Sequence, residues 1–163
     1  MKRVILVRHA KTIQYGYDQD YDRTLTERGE DDAERISMEL VKARMIPDLI
    51  LASPAVRTTQ TTRIFAASFG YPIGNVRYEK KIYSGMQTTN FLRMLREVDD
   101  SHATVMVVGH NPTIYYFIDL LLPEFSLDVP TCSTIVVDFE IDRWIDLTEH
   151  TGKMVGRWIP DLL

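Results

Sequence analysis

The chain has 163 residues, 45% of them hydrophobic and 26% charged, as expected of an ordinary globular protein that folds as one domain. The net charge of −4 argues against a general nucleic-acid-binding protein, although it permits a small basic pocket for an anion. Cys132 is the single cysteine, and no signal-peptide pattern or membrane-spanning apolar run is present, which together predict a cytoplasmic protein without membrane association.

Three short apolar, β-branched runs predict strands that are buried on both faces: residues 3–7, 47–52 and 103–109. The segment 133–141 alternates polar and apolar residues more regularly, which predicts a strand nearer an edge of the sheet. The segment 153–159 is expected to pair beside it in the antiparallel direction.

Amphipathic patterns between these strands predict helices. They are expected to begin at Thr26, at Ser53-Pro54, near Phe91 and at Asn111-Pro112. The second helix should end at Gly70, a residue type that favours the left-handed backbone of a helix end. The segment 13–24 has no periodicity and is predicted to be a loop.

Strands that alternate with helices predict an α/β fold, with helices on both faces of a mostly parallel sheet in a three-layer α/β/α sandwich. No repeat or linker divides the chain, so we expect a single domain over residues 1–163. The patterns leave the order of the strands open.

Polar residues follow each of the three apolar strands. Arg8 and His9 end the first strand, Arg57 lies in the first turn of the helix after the second, and His110 follows the third. Because ligands bind outside the carboxyl ends of the strands in open α/β sheets, we expect two histidines and two arginines to meet there, beside helix N-termini.

This collection of side chains fits the transfer of a phosphoryl group. Guanidinium groups match phosphate oxygens, a neutral imidazole can attack phosphorus, and a second, protonated imidazole can stabilise the developing charge. Such a site needs no metal, and two histidines without a Cys pair or an HExxH motif fit zinc poorly. His102 and His150 lie in polar surroundings and are interpreted as structural residues.

Four motifs give the chain a family resemblance: LVRHAKT (6–12), LTERG (25–29), SPAVRTTQTT (53–62) and VMVVGHNP (105–112). In this order they resemble the histidine phosphatase superfamily, the phosphoglycerate-mutase-like enzymes with an RHG motif. Within it, the chain is similar to the short SixA-type phosphohistidine phosphatases. Ala10 stands where the superfamily usually has glycine, a mild departure.

The resemblance implies a role for each matching residue. His9 would be the nucleophile that is transiently phosphorylated, Arg8 and Arg57 would bind the phosphoryl oxygens, and His110 would complete the pocket. Asn111 is expected to contribute its backbone N–H, and Thr12 is a weaker candidate for a polar contact at the rim.

The chain departs from larger members of the superfamily where they place an acidic proton donor. The best-aligned positions are Tyr83 and Ser84, and the nearby acids Glu79 and Asp99 are interpreted mainly as solvated surface charges. Larger members also insert helices that roof the active site. The short segment after Arg57 therefore predicts a shallow, open pocket.

The expected function is a phosphatase that needs no metal or cofactor, works through phospho-His9 and acts on phosphohistidine in a protein. Two alternatives remain open at this point. One is a small-molecule phosphomonoesterase or mutase-like enzyme, and the other is a non-catalytic module that binds a phosphorylated protein. The partner is thus a phosphorylated protein or a small phosphorylated substrate, with no nucleic acid and no membrane.

Overall fold

A computed structural model describes residues 1–163 and contains a six-stranded sheet with the strand order β3-β2-β4-β1-β5-β6. The strands are β1 (Lys2–Arg8), β2 (Leu49–Ala52), β3 (Arg77–Tyr78), β4 (Thr104–Gly109), β5 (Thr134–Phe139) and β6 (Lys153–Trp158). The helices are α1 (Glu27–Lys42), α2 (Val56–Phe69), α3 (Lys80–Ser84), α4 (Thr88–Arg96) and α5 (Thr113–Leu121).

The sheet is mostly parallel. β3, β2, β4 and β1 run in one direction, β5 pairs with β1 in the antiparallel direction, and β6 pairs antiparallel with β5. The predicted α/β fold is confirmed, and so are the position of β5 near an edge and its antiparallel pairing with β6.

Helices cover both faces of the sheet because the strand side chains alternate between two cores. In β1, Val4 and Leu6 pack into one core, whereas Ile5 and Val7 pack into the other. The first core is closed by α4 and α5 and the second by α1 and α2, as the buried residues of these helices show: Phe91, Leu95, Phe117 and Ile118 in the first, Ala33, Ile36, Leu40 and Phe65 in the second.

The start of α1 packs directly against the chain that follows β1. Thr26 caps the helix, as predicted, by accepting a hydrogen bond from the Gly29 backbone N–H at 2.9 Å. The Lys11 carbonyl accepts from the Thr26 N–H at 2.9 Å, and a side chain at position 29 would collide with that same carbonyl. The glycine of LTERG therefore lets α1 begin against the segment that carries His9.

The predicted start of α2 was two residues early. The helix begins at Val56, because the backbone N–H of Ser53 still bonds to the Val108 carbonyl of β4 at 3.0 Å and prolongs the sheet. The predicted end is confirmed, since Gly70 adopts the left-handed conformation with φ of 68°. α5 begins at Thr113, directly after Asn111-Pro112.

Two short elements had no sequence signal. β3 has two residues and α3 has five, too few to show a period. The segment 13–24 is largely irregular, as predicted, with a single 3₁₀ turn at Asp20–Asp22. No helix is both long and apolar enough to cross a membrane.

Candidate active site

The two histidines of the predicted site lie side by side at the carboxyl edge of the sheet. β1 and β4 are parallel neighbours with Arg8 opposite Gly109, so the residues that follow them are neighbours too. The His9 N–H bonds to the Gly109 carbonyl at 3.0 Å, and the centroids of the His9 and His110 rings are 5.4 Å apart.

His9 is held as a neutral imidazole with one free nitrogen. It is 5% exposed, and its Nδ1 lies 2.8 Å from the Ala10 carbonyl oxygen. Because a carbonyl oxygen can only accept, Nδ1 carries the hydrogen and Nε2 keeps its lone pair. Burial, reinforced by the charges of Arg57 and Arg8, lowers the pKa of His9 to about 4. His9 is therefore uncharged at pH 7.

Ser53 holds the second histidine. His110 Nε2 lies 2.7 Å from Ser53 Oγ, and His110 Nδ1 is buried without a hydrogen-bond partner. Burial and the nearby charge of Arg57 lower the pKa of His110 to about 3. His110 is therefore neutral at pH 7 in this arrangement of charges, and the protonated second imidazole expected during phosphoryl transfer stays a prediction.

The two arginines supply the positive charge beside the histidines. Arg57 is buried in the first turn of α2, and its Nη1 and Nη2 donate to the backbone carbonyl and carboxylate of Asp20 at 2.8 and 2.9 Å. Arg8 donates from Nη1 to the Val129 carbonyl at 3.0 Å. Burial and the charge of Arg57 lower the pKa of Arg8.

The other two candidate binding residues lie beside this group. Asn111 donates from Nδ2 to the Val129 carbonyl at 2.9 Å, the same oxygen that binds Arg8. Thr12 is buried, and its hydroxyl accepts from Arg23 Nη1 at 3.0 Å. Neither side chain hydrogen-bonds to a histidine, and the Thr12 hydroxyl holds Arg23.

Of the candidate proton donors, the structure brings only Tyr83 to the histidines and Arg57. Its ring packs edge-on against His110 with centroids 5.5 Å apart, and the Arg57 guanidinium lies 5.9 Å from its centre. Its hydroxyl donates to Asp20 Oδ2 at 3.2 Å. Partial burial and the Asp20 carboxylate raise the Tyr83 pKa, so this phenol keeps its proton at pH 7.

The remaining candidate donors lie away from the site. Ser84 is exposed and donates back to the Lys80 carbonyl of its own helix at 3.3 Å. Glu79 precedes α3, where its backbone N–H bonds to the Ala52 carbonyl at 2.9 Å. Neither side chain forms a hydrogen bond or ion pair with Arg8, His9, Arg57 or His110.

Sequence reasoning missed three side chains that complete this group. Ser53 was interpreted as a helix cap, although a hydroxyl directly after a buried strand also fits a site residue. Asp20 had no distinguishing signal, because the irregular loop also contains Asp18 and Asp22. Arg23 lies just ahead of the LTERG motif and donates from Nε to Asp20 Oδ1 at 3.0 Å.

The site is defined by its charges rather than by a deep cavity. A cavity of about 740 Å³ lies between residues 122–127 and 152–154, and none of the histidines or arginines of the site lines it. No group of three or more His, Cys, Asp or Glu side chains is arranged to hold a metal ion.

Comparison with known proteins agrees with this geometry. The family model of the histidine phosphatase superfamily (branch 1) matches residues 4–79. An uncharacterized chloroplast protein of Arabidopsis thaliana is 28% identical over 172 residues, which cover 98% of this chain and 78% of that protein. A structure assigned to the phosphohistidine phosphatase SixA of Agrobacterium tumefaciens is 28% identical, covers 98% of both chains and has a TM-score of 0.79.

A second structure shows the same fold at lower identity. It is the protein histidine phosphatase SixA complexed with tungstate, which is 19% identical with a TM-score of 0.85 and 98% coverage of both chains. Residues 4–79 thus resemble the histidine phosphatase superfamily, and the chain as a whole is similar to a SixA-type phosphatase structure.

Proposed function

We propose that this protein is a metal-independent phosphatase that forms a covalent phosphohistidine on His9 and acts on phosphohistidine carried by a protein. The observation that carries the proposal is the hydrogen bond from His9 Nδ1 to the Ala10 carbonyl, which leaves a neutral Nε2 beside two arginines. A nucleophilic imidazole requires this state of the ring.

The reaction follows from that state in two steps. The Nε2 lone pair forms a bond to phosphorus while the bond from phosphorus to the leaving atom breaks with its electron pair. The phosphorylated ring is cationic and keeps its Nδ1 hydrogen, which the Ala10 carbonyl stabilises. Water then attacks phosphorus, the P–N bond breaks, and its electron pair returns to Nε2 as phosphate leaves.

The arginines and His110 stabilise the transferred group in this scheme. Arg8 and Arg57 donate to the equatorial oxygens, which carry the negative charge in the transition state. His110 Nδ1 has no protein partner and is free to bond to a phosphoryl oxygen. A bound anion raises the His110 pKa, so that this ring gains its positive charge only with substrate present.

The absence of a neutral carboxylic acid beside the histidines supports phosphohistidine as the substrate. An alkoxide leaving group needs a proton, whereas the P–N bond of phosphohistidine breaks readily because imidazole is a better leaving group. The 28% identical Agrobacterium structure is named for this activity. A module that merely binds phosphoprotein would need the arginines but not a neutral imidazole with a free nitrogen.

Trapping the intermediate tests the proposal. Wild-type protein is mixed with a ³²P-labelled phosphohistidine peptide and quenched in alkali, and the label on the protein should be alkali-stable and acid-labile. His9→Ala should abolish both labelling and turnover while keeping the circular dichroism spectrum, and EDTA should leave the wild-type rate intact. Turnover without label, a fully active His9→Ala variant or a strict metal requirement would refute the proposal.

A further inference from the structure

The Nη groups of Arg57, which we propose bind the phosphoryl group, are hydrogen-bonded to Asp20 in this structure. Both Nη groups of Arg57 donate to Asp20, one to its carbonyl and one to its Oδ2. Arg23 Nε donates to Asp20 Oδ1 at 3.0 Å, and the Tyr83 hydroxyl donates to Oδ2 at 3.2 Å. Asp20 is the one acidic residue that contacts any of Arg8, His9, Arg57 and His110.

Asp20 lies on the solvent side of the buried histidines and arginines of the site. The Asp20 side chain is 55% exposed, whereas His9 and Arg57 are 5% and 6% exposed. In-line transfer requires the leaving group to depart opposite the attacking Nε2. Because His9 lies on the buried side of the site, a leaving group opposite its Nε2 would lie on the solvent side, where Asp20 is.

We propose that Asp20 contacts the leaving group and selects phosphorylated imidazole, by accepting a hydrogen bond from the ring nitrogen that does not carry phosphorus. This inference rests on the proposed function and adds a specificity-determining residue to it.

An ionised carboxylate can accept this hydrogen bond, but it cannot act as a proton donor. Partial burial opposes ionisation, but the hydrogen bond and charge of Arg57, with Arg23 and Tyr83, outweigh it and hold the Asp20 pKa below its usual range. Such a carboxylate has no proton to give to an alkoxide. It can, however, accept from the N–H of a phosphoimidazole that is protonated on its far nitrogen.

The transfer step is balanced without a proton transfer. His9 Nε2 bonds to phosphorus, and the electron pair of the substrate's P–N bond goes to the near nitrogen of the substrate ring. The ring leaves as neutral imidazole, and its far N–H stays bonded to Asp20. The carboxylate remains ionised throughout.

The same contact distinguishes between classes of substrate. A phosphoryl group that binds Arg57 displaces Asp20 from it, and the carboxylate keeps Arg23 and Tyr83 as partners. A protonated phosphoimidazole replaces the lost partner with its own charged N–H. An aryl phosphate offers no such donor, so Asp20 merely competes with it for Arg57.

The test compares phosphoimidazole with p-nitrophenyl phosphate in wild type and in Asp20→Asn. Loss of a charged acceptor should lower kcat/KM for phosphoimidazole about tenfold. For p-nitrophenyl phosphate kcat/KM should rise, and inorganic phosphate should inhibit more strongly, because a competing anion is removed. Asp22→Asn is the matched control, since Asp22 lies in the same turn and its side chain forms no hydrogen bond or ion pair. Its ratio of the two kcat/KM values should equal that of wild type.

Asp20→Glu, which keeps the charge, should move the ratio back toward the wild-type value. If Asp20→Asn lowers kcat/KM for both substrates by the same factor, or changes neither value, the ratio stays at its wild-type value. Either result would overturn the inference, and equal losses would show that Asp20 has a structural role. In either case wild-type turnover of phosphoimidazole would leave the proposed function intact. Failure of wild type to hydrolyse phosphoimidazole at all would refute the proposed function and this inference with it.

Discussion

Ser53 Oγ lies 2.7 Å from His110 Nε2, and this contact joins the ends of two neighbouring strands. Ser53 follows β2 and His110 follows β4, with Ala52 opposite Val108 in the parallel register. The hydroxyl fixes one nitrogen of the ring and so leaves Nδ1 as the atom available to a ligand. Ser53 is therefore a positioning residue that acts through His110.

Replacing Ser53 with alanine should lower kcat about tenfold with a smaller effect on KM. The change leaves His110 Nε2 buried without a partner, a penalty of about 1–3 kcal/mol, and frees the ring to change its tautomer. Steady-state kinetics measures the loss, and an NMR titration of His110 should show a changed pKa. Ser84→Ala is the control, because Ser84 is exposed and its hydroxyl donates only to the Lys80 carbonyl of its own helix. Equal effects of the two variants would contradict the role of Ser53.

Arg57→Ala should reduce kcat/KM by an amount equivalent to about 2–4 kcal/mol, as for removal of one preorganised donor to developing charge. Arg57→Lys should recover only part of the loss, because an ammonium group cannot reproduce the planar fork of a guanidinium. Arg63→Ala, on an exposed position of the same helix, is the matched control. Unchanged activity in Arg57→Ala would remove this arginine from the site.

Stability should fall on acidification because His9 is buried as a neutral ring. Its folded-state pKa of about 4 is below the ordinary value of 6.5, so the unfolded chain binds the proton first as pH falls. The contribution of the neutral His9 ring to the free energy of unfolding is present above pH 6.5. It is lost between pH 6.5 and pH 4, a loss on the order of 3 kcal/mol. Urea unfolding between pH 7 and pH 4 measures it.

His9→Gln provides the reference for this prediction, because it removes the titrating ring and keeps the carboxyl groups that also titrate in acid. The fall in free energy of unfolding should be smaller in the variant than in wild type over the same interval. If the free energy of unfolding falls equally with pH in the variant and in wild type, His9 does not titrate in this way. An NMR titration of the His9 ring gives its pKa directly and should show a neutral ring at pH 6.

The sequence predicted the elements whose signals are long or repeated. Both β1 and α1 were recognised, because β1 is a continuous apolar, β-branched run and the 16-residue α1 is long enough to show a helical period. The placement of His9 and His110 followed from the rule that carboxyl ends of parallel strands share an edge. The order of the strands depends on long-range pairing, which no local pattern contains.

The parts of the site that sequence reasoning missed depend on contacts between distant segments. Asp20 reaches Arg57 across 37 positions, and nothing in its own loop distinguishes it from Asp18 or Asp22. The neutral state of His110 likewise depends on burial and on Arg57, which only the packed structure supplies. Residue types at strand ends are thus readable from sequence, whereas their charge states are not.

The order of substrate preference tests the chemistry of the leaving group. Without a neutral acid at the site, we expect kcat/KM to be highest for a phosphohistidine peptide, lower for an aryl phosphate and lowest for a sugar phosphate. A positioned acid contributes about 10²–10⁴-fold to the departure of an alkoxide, and the sugar phosphate should lag by a comparable factor. All three are measured at one pH and ionic strength.

A sugar phosphate that reacts as fast as the other two would contradict this order and require a hidden acid. Tyr83 is then the first residue to test, because its phenol keeps its proton and lies against His110. Tyr83→Phe would remove that proton and slow the sugar phosphate selectively, whereas Glu79→Gln and Ser84→Ala, which change side chains away from the histidines, would not. If the preference order holds, Tyr83→Phe should instead slow the phosphohistidine peptide more than the other two substrates, because its hydroxyl then serves only to hold Asp20, the residue that we propose contacts the phosphorylated imidazole.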